Sequence, residues 1–440
     1  MSEYADIRIR NLSLCSFRNY LNSKFVSLFF TENDLIVIPV RDPNLDLNDP
    51  AVDSYIYKTT VLRAKERFDA MGYGIDKFEK EFNAKVYQAL DYTSFLHYLG
   101  IDYDDYEEII RDRIRKKVTF KKWVNAMSKI ITYELDNGNI RWNESLPERI
   151  HSTECAKVIF YSMKDINAES FYGIYPEIIS EAFIFRLILE NCAEDDEILL
   201  DFSNLAYWAD DCIPKALEST GNNEKIIVLV EGTSDKDILE YAMRKIYPHL
   251  SDLFYFMDFD DEHGVKRDGG TSYIIKNLKT FYFSKIKNKF IAIFDNDAEG
   301  YQSKCTLLTE IKNWPDNFRI LLYPEMKAFR KYPTLASNGT IIIDNINKKA
   351  CSIELYLPDR LIKEQGEYYP IEWENRKKIK IAKGYEEYLY QGVISQKDDI
   401  KKKFHELRND IEKGKENFNI QDWHKMKILL DTIVFAFADE

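Results

Sequence analysis

Paired cysteines are missing from this sequence: Cys15, Cys155, Cys192, Cys212, Cys305 and Cys351 are scattered, and none forms a CxxC pair. That spacing excludes a zinc ribbon and reads as reduced thiols, not a disulfide framework. Histidine is scarce too. Six are present and no two are close in sequence, which argues against chemistry built on a histidine-rich metal site. No apolar run approaches the roughly 18 residues a membrane helix needs, and there is no cleavable leader, so the chain is expected in the cytoplasm with no membrane contact. Positive charge is in deficit: 61 Lys plus Arg face 74 Asp plus Glu, a formal net charge of −13. A surface that binds polyanions everywhere is therefore excluded, and any contact with nucleic acid needs a local basic patch or bound metal ions. Internal repeats and low-complexity tracts are also absent.

What is present is enough apolar material to fill real cores. Hydrophobic residues make up 45% of the 440, with 29 Tyr and 27 Phe, and that length predicts at least two domains at roughly 150 residues each. The first 40 residues alternate like strands, at Ile7 and Ile9, Leu12 and Leu14, Phe25 to Phe30, and Leu35 to Val40. Long amphipathic helices are predicted from Thr59 onward, most clearly over 104–135, with Trp123, Met127, Ile130 and Ile131 on one face, and over 175–191, where Pro176 suits a first turn. The acidic stretch Glu194 to Glu197 and the loop 219–224 bracket a change of regime. Beyond it, Ile226 to Val230 and Phe290 to Phe294 are continuous apolar runs, as strands buried on both faces should be. Helical spacing over 235–247, 272–283 and 303–312, with strands over 253–258 and 318–323, completes a βαβαβαβ order and hence a parallel sheet with helices on both faces. From Ile371 the chain is lysine-rich, with Arg376, Lys377, Lys378, Lys380 and Lys383 and then Lys401 to Lys403, and reads as helical. Three regions are expected: 1–215, mostly helical α+β; 222–370, a Rossmann-like α/β domain; and 371–440, a helical extension.

In an open α/β sheet the active crevice lies beyond the carboxyl ends of the strands. Glu231 follows the first buried strand in Val230-Glu-Gly-Thr-Ser-Asp235, and Asp295 and Asp297 follow the third in Phe294-Asp-Asn-Asp-Ala-Glu-Gly300. If that pair lies on extended chain, positions i and i+2 point the same way and can grip one cation. Gly232 is expected to let the chain turn sharply, Ser234 to cap the next helix, and Asp235 to sit in its first turn. Crowded carboxylates repel unless a divalent ion, Mg²⁺ or Mn²⁺, offsets them. A lone DxD is ordinarily a soluble loop or a helix cap. The ordered set, buried strand, VEG, helix, β-α step, buried strand and DxD with a later glycine, is much more specific.

With those motifs, residues from about 225 to 325 resemble the TOPRIM domain shared by topoisomerases, bacterial primases and OLD-type nucleases, and the likeness is greatest to the OLD branch. The resemblance implies a TOPRIM-type fold and metal-dependent cleavage of nucleic acid by two Mg²⁺ or Mn²⁺ ions. It implies one ligand group from Glu231, Asp235 and Asp295, a second from Asp297, Ser352 and Glu354 in Ser352-Ile-Glu354, and a lysine, Lys397, that offsets charge on the phosphate. The front half, from Thr59-Thr60 through Arg67-Phe-Asp-Ala-Met-Gly-Tyr73, is similar to the N-terminal domain of HEPN/TOPRIM-associated bacterial defence proteins. OLD proteins usually carry an ABC-type ATPase, yet no GxxxxGK loop occurs here, so nucleotide hydrolysis would come from an ATPase partner in trans. Lacking a topoisomerase tyrosine context or a primase zinc region, the chain reads as an endonuclease of DNA or RNA acting in anti-phage defence. The alternatives are a non-catalytic scaffold that binds nucleic acid or an ATPase partner, and a primase-like nucleotidyl-transferring enzyme. Oligomers are open on base rate.

Other features weigh less. Arg244 and His249 have the R-x4-H spacing of HEPN ribonucleases but fall at the end of a helix of the α/β region, where chance explains them. Asp258, Asp260, Asp261 and Glu262 read as a solvated turn. Gly269-Gly270-Thr-Ser272 opens a helix and could hold a phosphate. The basic tail, with Trp373, Tyr385 and Tyr388 nearby, is either a solvated face or a track for single strands.

Overall fold

The computed structural model describes residues 4–40, 52–89, 119–139, 180–208, 225–257, 270–382 and 385–438. Two compact units divide the chain, one of Met1–Thr220 with Phe437–Glu440 and one of Gly221–Ala436. Among the described residues the chain is mixed α/β, and no helix is long and apolar enough to cross a membrane.

In the first unit the alternating start folds as an antiparallel hairpin, β1 (Tyr4–Ile9) and β2 (Leu12–Arg18), with Ile7, Ile9, Leu12 and Leu14 turned into the core. The segment Phe25 to Phe30, read as a strand, is instead helix α1 (Ser23–Phe29). The Asn22 side chain caps it by accepting from the Lys24 amide, and Phe25, Leu28 and Phe29 share a face at helical spacing. Then come β3 (Leu35–Val40), β4 (Val52–Thr60), α2 (Val61–Ala70), α3 (Ile75–Ala89), α4 (Phe120–Asn137), α5 (Glu181–Glu190), β5 (Glu197–Asp201) and α6 (Ser203–Trp208). The sheet runs β2-β1-β5-β4-β3. β5 was hidden in the sequence by its acidic ends, yet Ile198 and Leu200 alternate inward as a half-buried strand requires. α4 buries Trp123, Met127, Ile130 and Ile131 as its period predicts. Residues 104–118 and 175–179, Pro176 included, lie outside the described residues. α5 is buried all round, and its single buried cation, Arg186, donates to Asp69 at 2.8 Å and to Glu190 at 2.5 Å.

The second unit is built on four parallel strands in the order β10-β8-β6-β7, where β6 is Ile226–Leu229, β7 Phe254–Met257, β8 Phe290–Phe294 and β10 Phe318–Leu322. Helices α7 (Thr233–Ile246), α8 (Thr271–Phe283) and α9 (Ala298–Glu310) connect them. Every residue of β8 is buried. Phe290, Ala292 and Phe294 pack with Ile274, Leu278 and Leu307 of the helices, while Ile291 and Ile293 alternate to the other face and are buried there too. Between β8 and α9 the two-residue strand β9 (Asn296–Asp297) forms. After β10 come β11 (Tyr332–Leu335), β12 (Ile341–Asp344), β13 (Ala350–Cys351) and the small ribbon β14 (Lys363–Glu364) and β15 (Glu367–Tyr368).

The C-terminal region corrects the sequence reading. Residues 371–394, taken as the start of a helical tail, form a long antiparallel hairpin, β16 (Ile371–Ala382) and β17 (Tyr385–Ile394), which closes a sheet ordered β12-β11-β16-β17. Ile379 is fully buried between exposed Lys378 and Lys380, a period of two that the run of charges masks. Helices appear only afterwards, as α10 (Lys397–Glu412) and α11 (His424–Val434); Phe404 of the first and Trp423, the cap residue before the second, pack on Tyr241 of α7.

Candidate functional site

β6 and β8 are neighbours, so the residues that follow them emerge side by side. Glu231 follows one by two residues, Asp295 follows the other directly, and the Asp295 amide donates to Glu231 Oε1 at 3.0 Å. The chain then stays extended through β9, which pairs antiparallel with β13 in the register Asp297 to Ala350 and Asn296 to Cys351. This pairing carries Ser352 and Glu354 in from far along the sequence. Asp297 also caps α9, its Oδ1 accepting from the Gly300 amide at 2.7 Å. A Cβ on Gly300 would stand 2.2 Å from the Asp295 carbonyl oxygen, so only glycine lets the helix start this close to the strand end.

The remaining expected residues converge on the same place. Asp235 lies in the first turn of α7 and accepts from the Gly232 backbone. Gly232 itself is extended (φ −157°, ψ 165°), a conformation any residue adopts, so the sharp turn expected of it is absent. Ser234 lies inside the first turn, and Gly232 holds the cap position. Glu354 is fully buried, accepts from Ser352 Oγ at 2.7 Å, and has Lys397 Nζ at 3.4 Å and Lys401 Nζ at 3.7 Å from its Oε1.

The electrostatics follow from burial and from like charges. Burial, then Asp297, Asp235 and Glu299, push the Glu231 carboxyl up to about 8, against the pull of the Asp295 amide. Burial and Glu354 push Asp235 up to about 7, although Lys397 and Lys401 oppose this. Asp295 is held well above the usual carboxylate range by burial, Glu231, Asp235 and Asp297. Burial raises Asp297 as well. Lys397 responds in the opposite sense: burial works against its charge, but Glu354, Asp295 and Asp235 outweigh that and raise it. These mutual shifts put Glu231, Asp235, Asp295, Asp297, Glu354 and Lys397 within one electrostatic neighbourhood, with Ser352 bonded to it.

Oxygen donors of this kind suit a hard divalent cation. Two oxygens are already spare: Asp295 Oδ1 and Glu354 Oε1 are buried and have no hydrogen-bond partner. Glu231 Oε1, both oxygens of Asp297 and Glu354 Oε2 are turned onto protein donors. Asp297 Oδ2 accepts from Gln391 Nε2 at 2.5 Å, so Asp295 and Asp297 share no partner, and no three His, Cys, Asp or Glu side chains form a ready cation cage among the described residues. Like charges left to themselves satisfy their lone pairs separately, which accounts for this arrangement.

Several members were not foreseen. Gln391 of β17 holds Asp297 and accepts from the Glu299 amide at 3.1 Å, and no sequence signal marks it. Lys401 was visible as the residue one turn after Lys397 on a helix. Tyr323, at the end of β10, is raised well above its usual range by burial, Asp235, Asp295 and Glu231, which identifies it as a wall of the cluster. Arg244 is exposed at the end of α7 and takes no part in the cluster. Gly270, in the left-handed region at φ +86°, opens α8 and donates its amide to the Glu231 carbonyl at 3.0 Å. Asp258, Asp260, Asp261, Glu262 and Gly269 lie outside the described residues.

The family model described as HEPN/Toprim N-terminal domain 1 matches residues 1–220, half of the chain. No curated protein and no solved structure matches.

Proposed function

The chain belongs to the HEPN/Toprim N-terminal domain 1 family, a nuclease-related family, and we propose that its second unit is a TOPRIM-type, metal-dependent nuclease similar to the OLD branch. The observation that carries this reading is the buried, unpartnered Asp295 Oδ1 at the centre of four mutually repelling carboxylates, at the ends of two adjacent parallel strands. Buried carboxylates so arranged are costly, and a cation site is the physical reason to retain them.

Glu231, Asp235 and Asp295 would hold one ion, and Asp297, Ser352 and Glu354 a second. When bound, Mg²⁺ or Mn²⁺ supplies water activation and charge stabilisation at the leaving oxygen. The chain's own residues do the rest. The Asp295 amide orients Glu231, and Ser352 fixes one oxygen of Glu354. Lys397 and Lys401 bring positive charge to a rim that would otherwise repel a phosphodiester.

The test is incubation of the purified chain with labelled DNA, tRNA and nucleotides in Mg²⁺, in Mn²⁺ and in chelator. Metal-dependent cutting that is lost in Glu231→Gln and Asp295→Asn, with circular dichroism unchanged, is the expected result. Undiminished cutting by both variants refutes these roles. The absence of a ready three-carboxylate cage among the described residues favours a second reading, a non-catalytic scaffold that binds nucleic acid or an ATPase partner; it predicts retention of nucleic acid with no cutting under any metal. A role in phage defence is checked by plating efficiency on cells expressing the wild type against Asp295→Asn.

A further inference from the structure

The hairpin β16–β17 has two unlike faces. Its inner face carries Lys377, Ile379, Leu389 and Gln391, of which Lys377 pairs with Glu299 at 2.5 Å and Gln391 holds Asp297. Alternation sends their neighbours outward. Arg376 stands opposite Tyr390, Lys378 opposite Tyr388, and Lys380 opposite Glu386. The Arg376 guanidinium lies 5.2 Å from the Tyr388 ring centre and 5.6 Å from that of Tyr390, while Lys378 lies 6.0 Å from Tyr388. Both tyrosines are half exposed, at 51% and 50%, although a tyrosine ring in water gains little by standing there. Glu386 pairs with Lys378 at 2.5 Å, and among the described residues Arg376 and Lys380 have no carboxylate partner.

The geometry points to this outer face as a docking ridge for single-stranded nucleic acid, with bases stacking on Tyr388 and Tyr390 and phosphates drawn to Arg376 and Lys380. The choice of occupant rests on the nuclease reading and on charge complementarity. A cationic strip interleaved with aromatic rings, on a chain of net charge −13, fits a flexible polyanion with flat faces. Paired bases in a duplex offer no free face to the rings. The same two strands that fix Asp297 and Glu299 from within would thus hold the substrate from without. The bland alternative is cross-strand pairing that only stabilises the hairpin.

The test is fluorescence anisotropy of a labelled oligothymidylate of about 20 nucleotides, titrated with full-length protein in chelator, where cutting cannot contribute. Tyr388→Ala and Tyr390→Ala should each weaken binding by about 5- to 150-fold, the equivalent of about 1–3 kcal/mol per stacked base. The phenylalanine variants should bind like the wild type. Arg376→Gln with Lys380→Gln should lower the dependence of log affinity on log salt by about 1.4. Wild-type protein that does not bind, alanine variants that bind unchanged with unchanged melting, or a preference for duplex of equal length would each overturn the inference. Normal ridge-dependent binding without cutting in any metal refutes the nuclease reading alone, while cutting that survives the tyrosine changes with affinity unaltered refutes the ridge alone.

Discussion

Raising the pH in chelator should destabilise the unit formed by residues 221–436, and Glu231 is the group through which to measure it. Burial and Asp297 push its carboxyl up to about 8, whereas in an unfolded chain it titrates near about 4.3. Below the unfolded value both states hold the proton, and the group contributes nothing. Between the two values the unfolded chain has released its proton and the folded one has kept it, so stability falls as pH rises, by about 1.4 kcal/mol per pH unit. Above about 8 the folded group ionises too and the loss is complete, on the order of 5 kcal/mol across the window. Glu231→Gln keeps an acceptor for the Asp295 amide and removes the titration. It should match the wild type below about pH 4, exceed it by several kcal/mol near about pH 8, and show a slope shallower by about 1.4 kcal/mol per unit between. Urea unfolding at a series of pH values, read by hydrogen exchange in peptides covering β6 and β8, isolates this unit from the first. Wild-type stability that is flat or rising over that range, or a Gln variant with an unaltered slope, refutes the assignment of a strained buried carboxylate.

Two further substitutions probe the scaffold. Gly300→Ala drives a methyl into the Asp295 carbonyl and should cost about 1–3 kcal/mol or more by overpacking, read as a lowered melting midpoint together with weaker metal-dependent cutting. Lys397→Ala and Lys401→Ala each leave the other lysine beside Glu354, so each alone should cost about 1 kcal/mol, while the double variant should cost more than their sum, which a double-mutant cycle by urea denaturation measures directly.

The parallel sheet was legible because β6 and β8 are buried on both faces, which forces continuous apolar runs that little else in a soluble chain produces. The acidic positions were legible because topology delivers strand ends to one edge, so Glu231 and Asp295 had to emerge together once those strands were known. The segment Phe25 to Phe30 was misread because six apolar or small residues in a row fit a short buried helix as well as a strand, and only the Asn22 cap decides between them. The hairpin at 371–394 was misread because lysine and glutamate on its outer face suit a solvated helix, and the buried alternate residues are few. Gln391 could not be found at all. Its role depends on a contact between residues 94 positions apart, and a glutamine carries no signature until that contact exists.

Asp297 serves the start of a helix and the edge of a hairpin through its two oxygens, one on the Gly300 amide and one on Gln391. An ion captured by this carboxylate must compete with both, loosening a helix terminus normally worth about 0.5–2 kcal/mol and freeing a side chain of β17. Linkage makes the exchange symmetrical: a strand lying on the ridge that shifts Gln391 would change the affinity for metal by the same factor by which metal changes the affinity for the strand. Cargo and catalyst would then be sensed through a single amide, so that neither equilibrium can be measured without stating the concentration of the other.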